Sequence, residues 1–118
     1  MDATFGVLAC RVAALQLRTD YVTDDQAFLD AVSDAMVKAE LATSDAEAVC
    51  AGGDRKTARR ALKSVGKQMS RFAKRTGAKV GRLGVPDATV RNALITDART
   101  IRSLAKTLRK EVTCPVGS

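Results

Sequence analysis

The sequence predicts an all-helical protein, an up-down-up-down four-helix bundle with a short first helix. Three observations carry this expectation. Four stretches repeat apolar residues at three- and four-residue steps, the spacing of one helix face. Only 2 of 118 residues are proline, and the β-branched alternation that marks strands is sparse. The links between the apolar stretches are short, which makes consecutive helices antiparallel neighbours. Apolar residues make up 46% of the chain and aromatics only 3%, so the core is expected to be aliphatic and rich in alanine. One domain is the natural count for a chain of this length.

Residues 4–19 read as the first helix, with Phe5, Leu8, Val12 and Leu15 as its stripe. A polar break follows from Thr19 to Asp25. Thr23 and Gln26 have capping-box spacing, in which the hydroxyl accepts one backbone N–H and the amide reaches back to another. Asp24 and Asp25 sit where the helix dipole favours anions. The second helix runs over 24–50 and buries Phe28, Val32, Ala35, Ala39, Ala42, Ala46 and Val49. Gly52-Gly53 ends it, because glycine adopts the left-handed conformation without steric cost. Asp54 caps the third helix, 55–76 or as far as 80, whose stripe is Ala58, Leu62, Val65, Met69 and Phe72. The stretch Gly77 to Pro86 contains Gly77, Gly81 and Gly84 and reads as a loop. The fourth helix starts near Pro86 or Asp87, with proline tolerated in the first turn. It carries Val90, Leu94, Ala98, Ile101, Ala105, Leu108 and Val112 as far as Cys114, where Pro115 stops it.

Charge divides the chain. Residues 1–54 hold 3 basic against 10 acidic side chains, whereas residues 55–118 hold 17 against 3. Arg59, Lys63, Lys67, Arg71 and Lys74 form a basic stripe on the third helix. Arg99, Arg102, Lys106, Arg109 and Lys110 extend it on the fourth. Asp30 and Asp34 form an acidic face on the second helix, one turn before Lys38. Two outcomes follow from this pattern. The acidic helix lies beside the basic one and neutralises it, or the basic face meets an anionic partner. Opposite faces also permit self-association, head to tail.

Helical rise places the cysteines. At ~1.5 Å per residue, Cys50 lies roughly 40 Å below the turn at Thr23, and Cys114 lies as far below Asp87. Cys10 is only about 20 Å below the same end. Cys50 and Cys114 therefore share a pole, as a disulfide requires. Their bridge would span 64 positions and leave Cys10 as an odd thiol filling the core. Three reduced cysteines in a cytoplasmic protein are the other outcome.

Several chemistries are missing. The chain has no histidine, which removes Ser-His-Asp and Cys-His catalysis and most common metal sites. The cysteine spacings fit no zinc pattern. Gly77 to Gly84 has neither the Walker nor the dinucleotide spacing. No cofactor and no catalytic residue is expected. No run of about 18 apolar residues is present, so no membrane span is expected. The N-terminus lacks the basic and apolar regions of a signal peptide. Met1 reads as a start codon placed on an excised domain, and Gly117-Ser118 reads as a cloning scar.

One resemblance covers nearly the whole chain. Cys10-Arg11-Val12 with Leu15, Ala46-Glu47-Ala48-Val49-Cys50 and Gly53-Asp54-Arg55-Lys56-Thr57-Ala58 carry its first half. Ala61-Leu62-Lys63, Val85-Pro86 with Val90-Arg91 and Leu94, and Thr107-Leu108 to Cys114-Pro115 carry the second. In these the sequence resembles the C-terminal helical domain of large secreted or surface proteins from bacteria. The resemblance implies export, a disulfide and an accessory role within a longer chain. It implies no activity. The expected function is therefore a non-catalytic extracellular module for attachment or assembly, docking through charged faces on a protein or an anionic surface polymer. The alternative is an intracellular basic protein that binds nucleic acid non-specifically, although aromatics for base stacking are missing.

Overall fold

A computed structural model describes residues 3–115, so Met1 and Gly117-Ser118 lie outside the described residues. The chain folds into α1 (Phe5–Val22), α2 (Gln26–Ala51), α3 (Arg55–Gly77), α4 (Lys79–Gly84) and α5 (Ala88–Glu111). Four helices are long, and α1 is the shortest of them. Among the described residues there is no strand.

Each long helix begins on a side-chain oxygen that takes one or two of its orphan backbone donors. Thr4 accepts from Val7 N at 3.1 Å, Asp25 from Phe28 N at 2.8 Å and Asp54 from Thr57 N at 3.0 Å. Asp87 accepts from Thr89 N at 2.8 Å and Val90 N at 3.2 Å. The Thr57 hydroxyl, then its backbone N–H, holds the Asp54 carboxyl below the ordinary aspartate range. The Thr23–Gln26 capping box does not form, because Asp25 takes the cap. Thr23 Oγ1 instead accepts from Asp25 N at 3.0 Å and donates to Gly84 O at 2.7 Å, while Gln26 Nε2 donates to Asp30 at 2.7 Å. Pro86 lies outside α5, and the helix stops at Glu111, three residues short of Cys114. Between α2 and α3 only Gly53 needs the left-handed region, at φ 89°. Gly52, at φ −82°, does not.

The four long helices touch in a ring, α1 on α2, α2 on α3, α3 on α5 and α5 back on α1. Packing is fullest along α3, which lies between α2 and α5. The molecule is a slab of 52 × 25 × 19 Å. Phe28, Phe72, Leu8, Leu15, Leu62 and Ile101 fill its centre, each worth about 1.5–3 kcal/mol on burial. Ala35, Ala39, Ala46, Ala58, Ala98 and Ala105 are buried with them and let the helix backbones approach closely. Thr19, Thr43 and Thr76 enter the core because each hydroxyl donates to the carbonyl four residues back.

The Gly77 to Pro86 stretch departs from the expected loop. Lys79–Gly84 is a short helix, and Gly81 and Gly84 are both buried. A Cβ on Gly84 would enter the space of Phe28 Cβ, and one on Gly81 would collide with Thr76 O. The glycines are here for close packing rather than for looseness. Val80 packs against the core, while Leu83 is exposed.

Cys50 and Cys114 stand at disulfide geometry with Cα atoms 4.9 Å apart. Cys114 belongs to the segment after α5, not to the helix. Cys10 is not a core filler: its thiol is free and exposed on α1. Among the described residues no helix is long and apolar enough to cross a membrane.

Candidate functional site

The basic residues of the second half gather where α3 and α5 run side by side. Arg55 Nε donates to Val112 O at 2.8 Å, so the start of α3 lies at the end of α5. At mid-length, a Cβ on Gly66 would sit 3.6 Å from Arg102 Cγ. At the other end, a Cβ on Gly77 would sit 3.8 Å from Ile95 Cδ1. The two helices are therefore antiparallel, and small α3 side chains leave a channel between them.

That channel is an open groove of about 590 Å³. Its walls are Arg60, Lys63 and Lys67 from α3 and Arg102, Lys106 and Arg109 from α5. Ser64, Gly66 and Ser70 also line it. A second hollow of about 410 Å³ continues it past Ser70 to Lys74, Gly77 and Arg99.

Among the described residues none of these cations forms an ion pair with a carboxylate, although Arg60 stands close enough to Asp54 to add to the Thr57 hydrogen bonds that hold its carboxyl down. Ion pairs form elsewhere: Arg18–Asp97 joins α1 to α5, and Lys38–Asp34, at 3.1 Å, lies within α2. The acidic helix does lie beside the basic one, but the two do not neutralise each other through ion pairs. Arg75 shows what crosses that interface instead: its guanidinium donates to the Ala31 carbonyl at 2.8 Å. Like charges at i, i+3 and i, i+4, as in Arg60–Lys63–Lys67 and Arg102–Lys106–Arg109, cost a helix roughly 0.2–0.5 kcal/mol per pair. The groove thus concentrates positive charge, with only Arg60 at its end near a carboxylate, that of Asp54.

Of the basic residues expected from sequence, Lys63, Lys67, Arg102, Lys106 and Arg109 line the main groove and Lys74 its continuation. Arg59 and Arg71 are exposed on α3 but line neither hollow. The reason is angular. Steps of four residues advance 400°, so a stripe built only on such steps rotates off a straight groove. Arg60 was missed for the same reason; mixed three- and four-residue steps from Lys67 through Lys63 reach it. Asp30 and Asp34 are exposed on α2, the first accepting from Gln26 and the second paired with Lys38. The α1–α2 side carries Asp20, Asp30, Glu40 and Glu47 around two smaller hollows. Among the described residues no group of three or more Cys, Asp or Glu stands close enough to hold a metal ion.

Comparison with protein-family models, with curated proteins and with solved structures gave no match.

Proposed function

We propose that the protein is a non-catalytic, extracellular interaction module that attaches to an anionic partner through the α3–α5 face. The observation that carries this reading is the groove itself: six cations on two helices, with no carboxylate among them. Such a patch attracts polyanions and raises their local concentration. The scaffold is read as an up-down-up-down bundle, supported by the ring of contacts and the antiparallel α3–α5 register. Export is supported by the Cys50–Cys114 pair, since disulfides persist in oxidising compartments. The acidic α1–α2 side offers a second surface, through which copies can meet head to tail.

Charge reversal tests the reading. Lys63→Glu, Lys67→Glu and Arg71→Glu together are expected to abolish retention on an immobilised heparin column. Asp30→Lys with Asp34→Lys should leave retention intact. Retention unaffected by the first set removes the basic face as the docking surface. Self-association is checked by light scattering at high concentration, where a mass that rises at low salt and falls at high salt is expected. A salt-insensitive monomer would overturn the head-to-tail contact. Tighter binding to duplex DNA than to a base-free polyanion would favour the nucleic-acid role.

A further inference from the structure

We propose that the α3–α5 groove seats one extended, base-free polyanion lengthwise, a linear polysaccharide bearing sulfate or phosphate groups. This inference rests on the docking reading above and adds the ligand's class and its orientation. The register sets Arg60 opposite Arg109, Lys63 opposite Lys106 and Lys67 opposite Arg102. The cations form paired rungs across the groove, not a scattered patch. At ~1.5 Å of rise per residue the rungs stand about 5 Å apart. Beyond the rungs, Lys74 and Arg99 add single, staggered cations along the second hollow. A chain with one anionic group per sugar or so meets a rung at each step, whereas a compact anion would use one rung and leave the others empty.

The groove floor selects the width of the ligand. Gly66 and Ser70 keep it low, and adjacent packed helices stand roughly 8–10 Å apart axis to axis. A single chain can settle into the furrow over the contact of two such helices, whereas a nucleic-acid duplex reaches only its rims. The hydroxyls of Ser64 and Ser70 lie among the cations and can donate to sugar or ester oxygens. No Phe, Tyr or Trp lines either hollow, so nothing there can stack on a base. The charges in the groove repel one another along each helix, and an anionic chain would relieve that repulsion.

The probe is a fluorescent heparin octasaccharide, followed by anisotropy. With about six charges neutralised, affinity should fall roughly 300-fold between 50 and 200 mM salt. Gly66→Trp fills the groove without changing a charge and should weaken binding more than tenfold, its helicity checked by circular dichroism. Ser70→Trp, which closes the joint between the two hollows, is the companion should Gly66→Trp misfold. Undiminished binding to both variants overturns the groove seat. If the charge reversals abolish binding in the same assay, the docking reading survives on its own. Equal or tighter binding of a DNA duplex of matched charge overturns the single-chain ligand. No binding of either probe overturns this inference and the docking reading together.

Discussion

Gln68 is the residue least explained by its surroundings. It is 5% exposed in the middle of α3, and its Oε1 is buried without a hydrogen-bond partner. The buried threonines each close a bond within their own helix, but a glutamine side chain carries an acceptor and two donors that must look outward. An unmade bond of this kind costs about 1–3 kcal/mol. Methionine has similar length and no such acceptor. Gln68→Met is therefore expected to stabilise the fold by about 1 kcal/mol, read as a higher urea midpoint at unchanged slope. A lower midpoint would show that the amide has a partner in solution. Nothing in the sequence marks Gln68 as a core residue, since its neighbours at three- and four-residue spacing include Arg71 as well as Phe72. Cys10 is the opposite case, where the helical period does give the answer and the core-filler expectation ignored it. It lies two residues from both Leu8 and Val12, about 200° round the helix, and so takes the outer face of α1.

At the scale of elements, the long helices were legible and α4 was not. Apolar periodicity reports a helix only when several turns bury one face, and α4 is 6 residues long. Its glycines point by propensity to a loop, while tertiary contact makes them necessary. They bring the segment against the ends of α2 and α3, where Thr23 fastens Gly84 O from the α1–α2 link. Two opposing magnitudes decide what alanine does there. Within a helix, Gly→Ala gains up to about 1 kcal/mol from backbone entropy. Overpacking costs about 1–3 kcal/mol. At Gly84 the new methyl meets Phe28 Cβ, which belongs to a fully buried ring that cannot retreat, so Gly84→Ala should destabilise by about 1–2 kcal/mol. At Gly66 the nearest atom is Arg102 Cγ at 3.6 Å, an ordinary contact, so Gly66→Ala should stabilise by about 0.5–1 kcal/mol. Thermal unfolding of the pair gives the sign directly, and two shifts in the same direction would contradict the packing. The groove was half legible on the same grounds. Charge content named the two helices, but which cations share a wall depends on helix register, and Arg60 rather than Arg59 follows only from the packed pair.

For the whole molecule, the Cys50–Cys114 pair sets what holds together when packing loosens. Its 64-residue separation encloses α3, α4 and α5 in one covalent ring and leaves α1 and all but the last turn's end of α2 outside. Rise counting along the second and fourth helices anticipated this pairing, because both run toward the same pole. Closing a loop of that size restricts the unfolded chain by about 4 kcal/mol in the entropy model. That is a large share of the roughly 5–15 kcal/mol that stabilises a domain. Mutual repulsion across the basic groove works in the opposite direction, so the ring offsets part of the cost of concentrating that charge. The comparison belongs in a Cys10→Ser background, where only the paired sulfurs remain. Reduction should there lower the unfolding free energy by about 4 kcal/mol and steepen its dependence on urea, because the opened chain exposes more surface when it unfolds. Cys10→Ser alone should leave the oxidised protein's stability unchanged, since that thiol is exposed. If reductant leaves the midpoint where it was, the two sulfurs are neighbours without a bond, and the case for an oxidising compartment goes with them.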